Sequence, residues 1–598
     1  MKKKFSLFLM TFCAMSAMAQ PPSKDYKLVF EDNFDGDTLN TQVWRYRLDH
    51  RTGMGYMDGL NRAENVYVKD GKLYIECRQE VIDGKNQNTG GGIISLKDFG
   101  YGYYECLSKP FMGGRGVHTS FWQRGSSTPN NNIFEIDSYE IDSESYLATN
   151  NLYIDLGTKE RRYVPWPHRA QVPFETDEDG WFLDAYEYTP EGVIFYDNGK
   201  EVARAEWHEL NSAQAVWLTA LNGVGKVDRD KQPCASVFEY FRFYAKEYPG
   251  VTLLSNGNFE FNQDKVNPSH PIAWTPVGSK EAVQLLKEDA ARDEYKLRIG
   301  TEKTPFAMNL RQRISYILDG NYVLSAKVRS SGNLHQAALV ASPTSNVHQA
   351  SARIEIPKSN EWTYVSVPVE VRGNEVYISV LAEGEAGQWV EVDDINFMKP
   401  LPAGEKAKEN KPFQIFTDAM WELGMKYPVH FSGDKRFYFF DRNVGIGDTI
   451  SVCFTLEADE KANMTPIARI PKKGNSGWAV QLTKKGDLIF RIGSIENHTD
   501  VVARKVYNAH KKVRIACCFV KGTALVYVNG KLVKRQEGIQ QDTWDKTAAG
   551  RLGTVGKDYE AVGDVVMEMS QSDKETEKMK NFRGTLSKVQ IYNSLYTE

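Results

Sequence analysis

At 598 residues, the chain exceeds the roughly 250–300 residues at which one hydrophobic core stops growing, so about two to four domains are expected. The 74 Lys and Arg against 78 Asp and Glu leave a net charge of −4, and no basic tract is long enough to follow a phosphate backbone. Neither nucleic acid nor an anionic membrane surface is therefore an expected partner. Thirty Tyr, 29 Phe and 12 Trp, with Gly, Asn and Asp between short apolar alternations, predict an all-β chain.

The N-terminus reads Met1-Lys2-Lys3-Lys4, an apolar run from Phe5 to about Ala14, and then Ala17-Met18-Ala19. A basic region, an apolar core and a small-x-small site have the form of a secretory signal peptide over 1–19. The run is shorter than the ~20 residues needed to cross a bilayer, and no later stretch is a transmembrane candidate. A secreted, periplasmic or cell-surface protein is expected. The remaining cysteines, Cys77, Cys106, Cys234, Cys453, Cys517 and Cys518, are even in number, but their pairing cannot be read from spacing. On a strand Cys517 and Cys518 face opposite ways, so at least one is expected to be a buried small hydrophobe. With no CxxC pair and no second His near His208-Glu209-Leu210, a zinc site has no footprint.

From 20 to 248 the chain alternates short strands and turns: Leu28-Val29-Phe30, Val66-Tyr67-Val68, Leu73-Tyr74-Ile75, Tyr103-Tyr104-Glu105, and Val193-Ile194-Phe195-Tyr196 before the hairpin signal Asp197-Asn198-Gly199. A two-sheet sandwich follows. Pro249-Gly250 opens a second strand-rich block over 249–399, ending on Val390 to Phe397; a charged, Pro-bounded linker spans 400–412. Strands at Ile450–Leu456, Trp478–Leu482, Leu488–Ile492, Val513–Val520 and Ala524–Val528, with a turn at Asn529-Gly530, predict a third β-block over 413–598.

Chemistry concentrates in Phe134-Glu135-Ile136-Asp137-Ser138-Tyr139-Glu140-Ile141-Asp142-Ser143-Glu144. On a strand Glu135 and Asp137 share one face while Phe134 and Ile136 enter the core. A one-residue bulge near Ser138-Tyr139 returns Glu140 to the acidic face. Three acids in a row suit glycoside hydrolysis, where one carboxylate attacks and one carboxyl protonates the leaving oxygen. Asp137 between them helps split their pKa values. The spacing alone also fits a solvated acidic edge or a calcium site, because such triplets arise by chance in a chain of this length. A second register, with Glu140, Asp142 and Glu144 as the triplet, competes with the first; core-facing Phe134 and Ile136 favour the first, since the second places Ser143 where an apolar residue is usual.

The block from Tyr26 to Tyr244 resembles glycoside hydrolase family 16, whose bulged signature Glu-x-Asp-x-x-Glu matches Glu135-Ile136-Asp137-Ser138-Tyr139-Glu140. Further matches follow in order: Phe30-Glu31-Asp32-Asn33-Phe34, Glu64-Asn65-Val66, Phe99-Gly100-Tyr101-Gly102-Tyr103-Tyr104-Glu105, Ser120-Phe121-Trp122, Tyr186 to Pro190, and Phe241-Arg242-Phe243-Tyr244. The resemblance implies a jelly-roll catalytic domain with Glu135 as nucleophile, Glu140 as acid and base, Asp137 as their electrostatic partner, and Trp122 as a stacking wall for sugar. His118 shares the face of Trp122 and is a substrate-binding candidate, with a structural role as the alternative. The chain departs from the family's Trp-Pro-Ala-Phe-Trp at Val117 to Trp122, where it looks closer to the galactan-cleaving branch; β-glucan and β-galactan substrates both stay open.

The second block resembles family 4-type carbohydrate-binding modules through Asn256 to Glu260 and Asp393-Asp394-Ile395, which implies Glu260 and Asp394 as candidate ligands of a structural calcium. The third resembles laminin-G and concanavalin-like domains through Phe582 to Tyr592. The whole reads as an exported, monomeric, retaining endo-β-glycosidase with two accessory β-sandwiches and no catalytic cofactor. The rival is a carbohydrate-binding or adhesive protein that has lost activity.

Overall fold

The computed structural model describes residues 21–52, 58–125, 134–145, 147–154, 168–206, 212–259, 271–287, 295–405, 420–422, 429–432, 437–440, 449–469, 477–494, 497–540, 550–552 and 580–592. The expected leader at 1–19, most of the linker and Glu260 lie outside them. The chain is all-β: a jelly-roll-like sandwich is followed by further sheets, and the helical segments among the described residues are four single 3-10 turns. No helix among them is long and apolar enough to cross a membrane.

The first sandwich has two antiparallel sheets. In one, Trp44–Tyr46, Lys85–Ser95, Val216–Asn222, Val117–Arg124, Phe134–Asp142, Leu147–Ile154 and His168–Pro173 pair in that order. In the other, Cys234–Ala245 is central, flanked by Lys27–Asp32 and Lys72–Ile82 on its pairing edges and by Gly102–Lys109, which continues to Phe182–Thr189, Gly192–Asp197 and Lys200–Glu206. Every second residue enters the space between, so Phe121, Phe134, Ile136, Ile141, Leu218, Phe238 and Phe241 are fully buried. Each contributes about 1.5–3 kcal/mol by leaving water. The hairpin at Asp197 turns on Asn198 and Gly199, both at positive φ (48° and 76°), the twist a two-residue antiparallel turn requires.

The second block has its own core, including Trp274, Leu297, Leu324, Val380 and Phe397, between two five-stranded sheets. Its opening differs from a strand: Ser255 to Gly257 form turns, because Asn256 sits at φ 52° and accepts at its carbonyl from Trp274 Nε1 at 3.0 Å. The opening still meets the closing strand, with Ile395 N donating to Gly257 O at 2.9 Å.

The first and second blocks pack directly on one another. Tyr316 of the second block stacks on Phe99 of the first (centroids 4.3 Å, 12° between planes) and edges onto Phe30. Around this contact Arg313 Nη2 donates to Leu96 O at 2.8 Å, and Lys97 pairs with Glu375 at 2.7 Å. The third block contains a sheet over Met420–Glu422, Arg583–Tyr592, Thr449–Ala458, Val513–Val520, Thr523–Val528 and Lys531–Gln536. One of its strands, Phe437–Phe440, pairs with His168–Pro173 and so extends the acid-bearing sheet of the first sandwich; an open strand edge offers the unpaired amides and carbonyls such a strand needs. Cys517 enters the main core and Cys518 a small cluster with Cys453 on the other face, as strand alternation requires; all six described cysteines are free thiols.

Candidate active site

Phe134–Asp142 is the strand on which the site is built. Its burial follows the alternation, with Phe134, Ile136 and Ile141 in the core, but Ser138 and Tyr139 both point inward. The ladder to Val117–Arg124 skips Ser138, passing from Asp137 opposite Trp122 to Tyr139 opposite Phe121. That single extra residue resets the period, so Glu135, Asp137 and Glu140 all lie on the outer face of the sheet. The bulge is held from within. Ser138 Oγ donates to Asp184, Asn150 Nδ2 donates to the Ser138 carbonyl, and Tyr139 shares a 2.8 Å hydrogen bond with Ser108 Oγ.

Glu144 takes no place in this row. The strand ends at Asp142, and Glu144 is exposed in the following turn; buried Ser143 closes the strand by donating its amide to Val117 O at 2.9 Å. A strand triplet of Glu140, Asp142 and Glu144 is therefore not formed.

Cross-strand partners set the chemistry of each acid. Glu135 lies opposite Arg124, whose Nη1 is 2.7 Å from its carboxylate. Burial raises the Glu135 pKa, Arg124 pulls it down, and the charge of Glu140 pushes it back up, to about 7. Asp137, only 2% exposed, sits opposite Trp122. Glu140 lies opposite Ser120, which shares a 2.6 Å hydrogen bond with Thr219 on the next strand. His118 reaches back along its strand. Its Nε2 is 3.3 Å from Glu140 and its Nδ1 2.8 Å from Asp142. Burial opposes the imidazolium, but the hydrogen bonds and charges of Asp142 and Glu140 outweigh it and push the pKa up to about 10.

Trp122 lies on the same face, 4.6 Å from Trp217 between ring centroids, with the Arg47 guanidinium 5.7 Å and 5.3 Å from the two rings. Trp217 Nε1 donates to the Arg124 carbonyl at 2.8 Å, whereas the buried Trp122 Nε1 has no acceptor among the described residues. Sequence reasoning placed Glu135, Asp137, Glu140, Trp122 and His118, and the structure brings all five onto one face. It missed Arg124, Trp217, Arg47 and the Ser138–Asp184 anchor. Trp217 was findable, since Trp217-Leu218-Thr219-Ala220 alternates as Ser120-Phe121-Trp122 does; Arg47 and Asp184 become neighbours only through tertiary pairing.

Of the second block's calcium candidates, only Asp394 lies among the described residues. Asp394 Oδ2 pairs with Lys327 Nζ at 2.5 Å, Glu260 lies outside the described residues, and no group of three or more metal-ligating side chains occurs among those described. A hollow of about 740 Å³ lined by His335, Gln336, Arg353, Lys358 and Glu383 also lies in the second block and shares no residue with the acid row.

Fold and site together define an all-β sandwich with a row of carboxylates on a sheet face carrying two tryptophans. No protein-family model matches the chain, and no curated protein matches it. Among solved structures it is similar to a laminarinase from Flavobacterium sp. UMI-01 (24% identity, TM-score 0.32, 37% of this chain and 100% of that one). It is also similar to SCLam, a non-specific endo-β-1,3(4)-glucanase from family GH16 (22%, TM-score 0.34, 38% and 94%), and to an endo-β-1,3-glucanase from Pyrococcus furiosus (17%, TM-score 0.32, 37% and 95%). These are likenesses of fold over little more than a third of the chain; the chemistry rests on the acid row itself.

Proposed function

We propose that the chain is an exported, retaining, endo-acting glycoside hydrolase that cleaves a β-linked polysaccharide of glucan or galactan type. The observation that carries this reading is the bulge at Ser138, which aligns Glu135, Asp137 and Glu140 on one face beside Trp122 and Trp217. Arg124 favours Glu135 as the carboxylate that attacks the anomeric carbon. Glu140, on the same face, is then the group that passes a proton to the leaving oxygen as the glycosidic bond breaks. In the second step Glu140 takes a proton from water, and the water oxygen displaces Glu135, restoring the starting configuration. Asp137 lies between them as their electrostatic partner. His118 orients Glu140 through Nε2, and Trp122 with Trp217 gives the sugar an apolar wall. Export is supported by the leader-like pattern of the first 19 residues.

The deciding experiment is reducing-end release from a panel of β-glucans and β-galactans, followed by NMR of the first anomer formed. Retention is expected. Glu135→Gln should lose several orders of magnitude in kcat, as removal of a covalent nucleophile does, while Glu144→Gln should cost little. A panel with no cleavage would leave a carbohydrate-binding protein, and an inverted first product would overturn double displacement.

A further inference from the structure

We infer that the polysaccharide carries an acidic group, a sulfate ester or a uronate carboxylate, and that Arg45, seconded by Arg47, binds it away from the point of cleavage. The inference rests on the glycosidase reading above and names the substrate class of that site. Its basis is a single cross-strand row. Arg45 lies opposite Ile94, Ile94 opposite Trp217, Trp217 opposite Trp122, and Trp122 opposite Asp137. Residues directly opposite one another share a face, so Arg45 projects from the same surface as the acid row. Four strand spacings put its backbone roughly 19 Å from that of Asp137.

The charges on this surface do not cancel at the Arg45 end. Arg47 is held by Asp49 through Nε and Nη2, at 2.6 and 3.0 Å, and Asp49 also accepts from Asn61. His50 faces Asp58 at 3.2 Å, and Arg124 is committed to Glu135. Arg45 is exposed, and its guanidinium lies 5.9 Å from the Trp217 ring with no carboxylate partner among the described residues. Arg47 lies over both tryptophans but is only 3% exposed, so its charge supports Arg45 from a distance. A neutral glycan needs no such concentration of guanidinium in a chain whose net charge is −4. Planar guanidinium forks suit the paired oxygens of sulfate and carboxylate, and hydrogen bonds to a charged acceptor are about twice as strong as neutral ones.

The test uses the full mature chain and two matched substrate pairs: a sulfated β-galactan with its desulfated form, and a uronate-bearing β-glucan with its carboxyl-reduced form. Both kcat/KM and binding to each polymer by affinity electrophoresis are read, in the parent chain and in Arg45→Gln. A preference of about tenfold or more for one charged member is expected, falling to near parity in Arg45→Gln and weakening as salt screens the contact. The pair that shows the preference identifies the acid. Equal handling of charged and neutral polymers, or a preference that survives Arg45→Gln, overturns the inference while leaving the hydrolase standing. If no polymer is cleaved the hydrolase reading fails, and binding alone decides: an Arg45-dependent preference upholds acid recognition, and its absence removes that too. Because Arg45 is exposed, the thermal midpoint of Arg45→Gln should match the parent, which separates lost recognition from lost fold.

Discussion

At the scale of single residues, the electrostatics around Glu135 make a signed prediction. Its pKa of about 7 reflects burial and Glu140 working against Arg124. The proposed nucleophile role requires Glu135 to be ionised, so kcat/KM should fall as pH drops through about 7. Arg124→Met removes the cation that pulls the pKa down, so this acidic limb should move to higher pH; Trp217 keeps its bond, which is to the Arg124 backbone carbonyl. A pH–rate profile that stays put or moves to lower pH would remove Arg124 from the account. His118 supplies a second sign. Its folded pKa, about 10, lies above the unfolded value of about 6.5. Its stabilisation is thus fully present below pH 6.5 or so and lost as pH rises through about 10. The difference in thermal midpoint between the parent and His118→Asn should be largest near pH 6 and shrink toward pH 10. A gap independent of pH would mean that His118 acts by packing alone.

At the scale of the element, the bulged strand depends on a buried polar anchor. Ser138 is fully buried and donates to Asp184, whose other oxygen has no partner among the described residues. Asp184 lies opposite Asp197, whose two buried oxygens also lack hydrogen-bond partners among the described residues. Ser138→Ala should therefore destabilise the protein by about 1–3 kcal/mol, the usual cost of leaving a buried acceptor unsatisfied. It should also lower kcat, because the bulge sets the distance between Glu135 and Glu140. Thermal unfolding and kinetics on the same variant check both halves; an unchanged kcat would show that the backbone holds the bulge without the side chain.

At the scale of the whole molecule, the first sandwich leans on the second. Tyr316 fills the space between Phe30, Phe99 and Phe243 and is joined there by Arg313 and Lys97 contacts. Tyr316 is partly buried, so Tyr316→Ala should cost about 2 kcal/mol, somewhat less than deletion of a fully buried aromatic. The segment 20–248 expressed alone should unfold at a lower temperature than the same segment within the full chain. Equal midpoints by scanning calorimetry would show that the blocks are independent and that this contact contributes little. The Phe437–Phe440 pairing likewise makes the third block part of the acid-bearing sheet rather than a tethered passenger.

Local chemistry was enough to settle the all-β class, the strands at Trp478–Leu482 and Val513–Val520, and the turn at Asn198-Gly199, because alternation and positive-φ residues act over a few neighbours. It also placed the bulge, since Phe134, Ile136 and Ile141 cannot all enter one core with Glu140 outside unless a residue is added between Asp137 and Glu140. Two registers nevertheless remained open to it. The tertiary structure ends the strand at Asp142, leaves Glu144 in the following turn and sets the acid of Asp142 against His118. Arg124 against Glu135, Asp184 beneath Ser138, Tyr316 on Phe99 and the row from Arg45 to Asp137 likewise had no local signature. Each joins residues distant in sequence or on different strands, and which long-range partners meet is chosen by the packing of whole sheets against one another, a cooperative property that no short stretch of sequence carries.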